Sequence, residues 1–476
     1  MPDKIPLCVD LNGALLQTDV LSELVCLAIR KPFTGWKLPF WFLCGRAHLQ
    51  AKLMASVQLN AHSLPLNEEL LGFLKREREQ GRQLFLVAGT GVHVGQAVSE
   101  KTGLFDAVIC NPNGPELSGE KKAALLVERF GKGNFDYAGT SPADLPIWAV
   151  ARKAIVVNAS QTVLRELKKA GQVEAVFSRE KTLSMLFRAL RPHQWSKNLL
   201  IFLPLMGAHC WSDLGKLTQT LTAFGAFCLC ASSVYVLNDL LDLESDRHHF
   251  KKRYRPFASG RISLVYGLIG APLLLLASVL VGLELPLSFL ATLAIYYALT
   301  LLYSFWLKQI EILDVLVLAS LYGIRVVAGG YAAQVTVTDW LLAFSMFLFV
   351  SLAFVKRFTE LQWVRRENRE TLKGRGYQTG DAELVSSMGV VSSYLSVLVL
   401  AFYITNPAVT QLYHKPAALW LACPVLLYWN SRIWLLAHRK KLHDDPIVFA
   451  LKDKQSWFIG LILLAIATAA SPIKMP

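Results

Sequence analysis

Asn238-Asp239-Leu240-Leu241-Asp242-Leu243-Glu244-Ser245-Asp246, running on through Lys251-Lys252-Arg253-Tyr254-Arg255-Pro256-Phe257-Ala258-Ser259-Gly260, is the stretch from which the rest of the chain is read. It follows the apolar run 219–237, so carboxylates three and four residues apart fall at the end of a predicted membrane helix. If the helix continues across them, Asp239, Asp242 and Asp246 share one acidic face, with Asn238 beside them as a neutral ligand or orienting group. Such a face suits a divalent ion held against a phosphorylated ligand. A solvated loop whose acids merely balance the following bases is the competing reading of the same pattern.

Outward from this motif the chain changes solvent. Of 476 residues, 53% are hydrophobic and the mean hydropathy is positive, an excess concentrated after about residue 195. Two domains are expected, 1–180 and 181–476. In the second, nine apolar spans are predicted near 198–212, 218–237, 263–283, 286–305, 310–330, 339–355, 384–404, 416–434 and 455–472. Basic residues crowd alternate loops: Arg188, Arg191 and Lys197, then Arg247 to Arg261, Lys308, Lys356 to Arg375, and Arg439 to Lys441. The other loops are nearly uncharged apart from Lys216 and Lys415. Membrane orientation therefore explains the net charge of +14 without nucleic acid, and places the N-terminal domain on the cytoplasmic side of an inner membrane. The eight cysteines form no CxxC pair, and no cleavable signal is expected from a start of Met1-Pro2-Asp3-Lys4.

The first domain has the alternation of a mostly parallel α/β sheet. Strands are predicted at 5–11, 84–88, 106–109, 135–138 and 154–157, with helices at 18–30, 38–56, 66–80, 92–101, 120–130 and 143–151. The stretch 31–65, with Trp36, Trp41 and Lys52, is expected to be an inserted helical cap or surface helix pair.

Three further polar groups stand out. Lys251, Lys252, Arg253 and Arg255 follow the acidic run, where they serve either phosphate binding or membrane orientation; the Pro256 to Gly260 turn would fix Arg255. Tyr303, Ser304 and Lys308 precede Asp314 and Arg325, ionisable residues inside an apolar span that each need a partner from another helix. Lys356, Arg357 and Glu360, with Arg365 and Arg366, leave the sixth span with more positive than negative charge, which suits a second anionic group.

With these residues in view, the C-terminal region resembles the UbiA superfamily of intramembrane prenyltransferases. The Asn-Asp-x-x-Asp-x-x-x-Asp pattern falls on Asn238, Asp239, Asp242 and Asp246, and the following Arg-Pro-x-x-Ser-Gly on Arg255 to Gly260, with Tyr254 a departure. Four runs are most similar to decaprenyl-phosphate phosphoribosyltransferases: Arg191 to Asn198, Tyr303 to Lys308, Lys356 to Leu361, and Asp444 to Ala450. The resemblance implies nine helices around a cavity, with magnesium held by Asp239, Asp242 and Asp246. It also implies a polyprenyl phosphate as acceptor and phosphoribosyl diphosphate as donor. Lys197, Lys251, Arg255, Lys356 and Arg357 would meet phosphates, with Tyr303, Lys308 and Glu360 in the same binding set. Alternatives are prenyl transfer from a polyprenyl diphosphate to an aromatic or other small acceptor, and a non-enzymatic membrane carrier or scaffold; a homo-oligomer is left open.

Asp10-Leu11-Asn12-Gly13-Ala14 resembles the first motif of haloacid-dehalogenase-like phosphatases, Asp-x-Asp-Gly-Thr. Asp10 stands in the nucleophile position, but Asn12 replaces the acid, and an amide cannot lend a proton. Thr90 matches the second-motif hydroxyl, Lys121 or Lys122 the motif lysine, and Asp144 one acid of the fourth motif, where Thr140 stands in place of another. The resemblance implies a retained fold with weak or absent phosphatase activity.

Overall fold

The computed structural model describes residues 5–89, 92–110, 119–178, 182–366, 370–372, 375–407, 413–442 and 445–470. Contacts divide the chain into two compact units. The first joins Met1–Leu190 to Tyr235–Ala271, and the second joins Arg191–Val234 to Pro272–Pro476.

The first unit is built on a parallel sheet of six strands: β1 Leu7–Asp10, β2 Leu84–Ala88, β3 Ala107–Cys110, β4 Asp136–Gly139, β5 Ala154–Val157 and β6 Val173–Phe177. Their spatial order is β3-β2-β1-β4-β5-β6. Successive side chains point to opposite faces, so Leu7 and Val9 enter one apolar core while Cys8 enters the other. Burial on both faces explains why β1, β2 and β5 are continuous apolar runs rather than alternating ones. Strand β6 lies outside the strands expected from sequence: Val173-Glu174-Ala175-Val176-Phe177 alternates in exposure, as an edge strand with one covered face does. The expected helix 143–151 is shorter, a 3-10 turn Pro142–Asp144 followed by Leu145–Trp148. The insertion is helical, with Pro32–Gly35, Leu38–Leu43 and Arg46–Ser56.

Among the described residues, six helices are long and apolar enough to cross a bilayer: Leu214–Leu241, Leu264–Gly282, Leu287–Phe305, Leu313–Ala333, Asp339–Arg366 and Thr379–Thr405. The other three expected spans take shorter forms. The first is a 3-10 segment Pro192–Phe202 passing into Leu203–Gly207, with Pro204 at the junction, where it cannot donate a backbone hydrogen bond. The eighth is likewise a 3-10 segment, Pro416–Leu421, leading into Ala422–His438, and the ninth is the 17-residue helix Lys454–Ala470. Small residues allow tight packing in the second unit: a Cβ on Gly329 would lie 2.0 Å from the Ile201 carbonyl oxygen. Outward faces are apolar, with Leu273, Leu276 and Leu280 exposed along one helix, as expected of an integral membrane protein.

Candidate active site

The acidic motif begins in the last turn of Leu214–Leu241 and continues, after a break at Asp242, into the short helix Leu243–His248. Helical hydrogen bonding survives the break: Asp242 N donates to the Asn238 carbonyl at 2.9 Å, and Asp246 N to the Asp242 carbonyl at 2.8 Å. Asp239 and Asp246 are almost fully buried, and both accept from Nη1 of Arg255, at 3.2 and 2.5 Å. Burial pushes the Asp246 carboxyl above its ordinary range, against the opposing pull of Arg255. Asn238 and Asp242 are half-buried, whereas Lys251, Lys252 and Arg253 are exposed. Among the described residues, no three His, Cys, Asp or Glu side chains are gathered closely enough to hold a metal ion. The structure instead draws two of the three carboxylates onto one guanidinium nitrogen.

Arg255 is positioned by the turn after it. Ser259 Oγ donates to the Arg255 carbonyl at 2.8 Å, and Gly260 closes the turn at φ +72, where a Cβ would meet Gln17 at 2.6 Å. The motif is also tied to the α/β part of its own unit. Arg247 donates to both carboxylate oxygens of Glu23, at 2.5 and 3.2 Å, and to the Ala258 carbonyl at 3.0 Å. Asn60 donates to Glu244 at 3.1 Å.

The second unit gathers most of the remaining expected residues, in two clusters. In one, Lys197 and Lys356 both donate to Oδ2 of Asp445, at 2.8 and 3.4 Å, and Lys197 lies over the Tyr322 ring. Burial alone would raise the Asp445 carboxyl, but Lys356 and Lys197 hold it far below its ordinary range. In the other, Asp314 pairs with Arg357 at 2.5 Å and with Arg375 at 3.1 Å and accepts from the Tyr377 hydroxyl at 2.7 Å. Arg357 also pairs with Glu360, and Arg375 donates to the Tyr303 hydroxyl at 3.0 Å. Arg357 and Asp314 are completely buried, so this guanidinium is engaged by protein carboxylates. Lys308 is half-buried in the turn Leu307–Gln309. Arg325 donates to Asn198 at 2.8 Å and to the Tyr296 hydroxyl at 2.9 Å, and lies over the Tyr322 ring of the first cluster.

At the sheet, Asp10 ends β1 and accepts from Lys122 Nζ at 2.7 Å. Of the two candidate lysines it is Lys122 that reaches Asp10; Lys121 is exposed. Burial raises the Asp10 carboxyl to about 6, Lys122 pulling the other way and Asp144 adding to the rise. Asp144 accepts from the backbone N–H groups of Thr140 and Ser141, at 2.9 and 3.0 Å, and so organises its own turn. Asn12 is half-buried beside Asp10 in sequence, and Thr90 lies outside the described residues.

Asp445, Asp314, Tyr322, Arg375 and Tyr377 enter these clusters without having been singled out as site residues from sequence. Asp314 carried a signal, a charge inside an apolar span, and Asp445 lay in the run Asp444 to Ala450 without an assigned role.

The model of the UbiA prenyltransferase family matches residues 200–469. An uncharacterized protein, y4nM, of Sinorhizobium fredii is 38% identical over 97% of this chain and 90% of its own length. The decaprenyl-phosphate phosphoribosyltransferase of Mycolicibacterium smegmatis is 37% identical over 197 residues, covering 40% of this chain and 61% of that protein. A solved UbiA homolog from Archaeoglobus fulgidus, bound to GPP and Mg2+, is 15% identical with a TM-score of 0.46, covering 60% of this chain and 99% of that one.

Proposed function

From the premise that this chain belongs to the UbiA prenyltransferase family and is an integral membrane transferase, we propose that it moves a 5-phosphoribosyl group from phosphoribosyl diphosphate to a polyprenyl phosphate, with magnesium. The observation that carries this reading is the Lys197–Asp445–Lys356 cluster, where two ammonium groups share one carboxylate. The remaining positive charge suits a phosphate monoester better than an uncharged aromatic acceptor. Similarity to a decaprenyl-phosphate phosphoribosyltransferase supports the same choice.

The motif's donors are carboxylate oxygens, the ligands magnesium prefers, and Asp239 and Asp246 already converge; Asp242 would have to turn in beside them. Held by Asp239, Asp242 and Asp246, magnesium would offset the charge of the departing diphosphate. Arg255 would hold the two buried carboxylates in place and, with Lys251, meet diphosphate oxygens. Lys197 and Lys356 would orient the lipid phosphate, whose oxygen attacks the anomeric carbon as the carbon–oxygen bond to diphosphate breaks. A phosphate monoester is nucleophilic near neutral pH, so alignment and charge stabilisation suffice without a dedicated base. Asn238 would orient its acidic neighbours. Tyr303, Arg357 and Glu360 would support the walls of the site through the Asp314 network, with Lys308 a further contact for an anionic substrate.

In this reading residues 181–476 form the transferase. Residues 1–180 are a haloacid-dehalogenase-like domain on the cytoplasmic side of an inner membrane, in keeping with the basic loops. That domain keeps Asp10, Lys122 and Asp144 but carries Asn12, which favours a docking or regulatory role over phosphatase turnover.

The test is incubation of purified protein and magnesium with polyprenyl phosphate plus phosphoribosyl diphosphate, and in parallel with polyprenyl diphosphate plus aromatic acids. A phosphoribosyl lipid is expected. A prenylated aromatic instead, or no product in either arm, would overturn the assignment.

A further inference from the structure

The insertion in the α/β part presents a surface that the transfer reaction does not use. Phe33, Trp36, Phe40, Phe42 and Leu43 are 90, 83, 67, 73 and 84% exposed, a density of bare aromatic surface that a water-facing domain does not ordinarily carry. The helix Leu38–Leu43 has no buried residue, yet it is not loose. Leu38 and Trp41 pack against the sheet's core, and the following helix Arg46–Ser56 sinks Leu49 and Leu53 into it. The exposed side chains therefore project from a seated platform.

Charge supplies the second observation. Between Glu23 and Glu68 there is no acidic residue, while Arg30, Lys31, Lys37, Arg46 and Lys52 fall in that interval. Lys31, Lys37 and Lys52 are exposed. Large aromatics interleaved with bases, and no acids, complement the boundary between acyl chains and anionic headgroups. Position supplies the third. Helix Val20–Arg30, from which the insertion departs, lines a cleft with Leu240, Leu241 and Glu244 of the same unit, at the end of the span Leu214–Leu241. The aromatic segment thus departs from a helix that lies beside the end of that span.

We propose that residues 32–43 form a monotopic anchor that lies in the headgroup–acyl boundary of an anionic leaflet, giving the α/β unit a bilayer attachment of its own. Aromatic side chains there would enter by about 5–10 Å, with the lysines at phosphate level.

Cys44, exposed at the end of the platform, provides the probe position. The full chain, with the partly exposed Cys110, Cys210 and Cys423 replaced by Ala, is labelled there with a fluorophore and reconstituted singly into nanodiscs containing phosphatidylglycerol. Nitroxide-bearing lipids are expected to quench the label several-fold more than iodide does. The preference should reverse in Phe33→Ser/Trp36→Ser/Phe40→Ser and weaken in Lys31→Glu/Lys37→Glu or in neutral lipid. These side chains are exposed, so the α/β unit should keep its melting temperature in the variants. Strong iodide quenching of the parent, with none by lipid nitroxides, would overturn the proposal. So would shielding that appears only as protein concentration rises, which would mark a contact between copies.

Discussion

Two charged centres of this molecule are mirror images. At the acidic motif, two buried carboxylates, Asp239 and Asp246, share one guanidinium; at the other, two lysines, Lys197 and Lys356, share the single carboxylate of Asp445. Counted over these pairings alone, the first is richer in carboxylate and the second in ammonium, and buried charge of one sign favours a counter-charge. In the proposed function that imbalance suits a cation at the first centre and an anion at the second. Asp10 with Lys122 is the matched reference, one acid to one base. Asp314 shows a third outcome, in which Arg357 is sealed completely inside the protein and its counter-charges are protein carboxylates.

The largest effect should come from removing the acidic surplus. Asp239→Asn is expected to lower turnover on the order of 10²–10³-fold, while Asp10→Asn leaves lipid product within about twofold, both read by product formation with magnesium. The reverse pattern would break the contrast. Next, Asp314→Asn leaves the fully buried Arg357 with Glu360 as its one carboxylate partner of the two and should cost about 3 kcal/mol, seen as a lower unfolding temperature in detergent. Asp314→Asn/Arg357→Met should recover part of that loss, because it removes the under-compensated guanidinium and leaves Glu360 to Arg375.

The matched pair gives a pH test. Asp10 titrates near 6 when folded, against an ordinary 3.8, so the folded state holds its proton longer than the unfolded chain. For a raised carboxyl the cost of ionisation is absent below pH 4, accumulates as pH rises towards 6, and is constant above. Relative to its own value at pH 4, Asp10→Asn should therefore gain about 3 kcal/mol over the parent by pH 7. Hydrogen exchange of β1 and β2 in the full chain measures this, and a flat difference from pH 4 to 7 would remove the asserted burial cost. The smallest effect is expected at the basic surplus: Lys356→Gln should raise KM for polyprenyl phosphate roughly tenfold with little change in kcat. An unchanged KM would separate that cluster from the lipid phosphate.

How much of this was legible in sequence depended on how local the signal was. Five strands were readable because burial on two faces leaves apolar runs between turns, whereas β6 carries Glu174 at an edge and loses that contrast. The apolar spans were readable by composition, but not the 3-10 openings at Pro192 and Pro416, where proline sets the backbone without changing hydropathy. The acidic motif was visible because its members lie within nine residues of Asn238 to Asp246. Asp445 lay in the run Asp444 to Ala450, but its pairing was not legible, since Lys197 and Lys356 stand 248 and 89 residues away in the chain. The choice between Lys121 and Lys122 also waited for the helix phase, which turns only Lys122 towards Asp10.

The two-pronged grip of Arg247 on Glu23 carries a consequence for gene architecture. A shortened version of this chain that kept only the spans would strip a nearly inaccessible cation of its counter-ion, one residue beyond Asp246. Descent or engineering that separates the two modules therefore also releases the tether beside Asp246, and position 247 would then face water or find another partner.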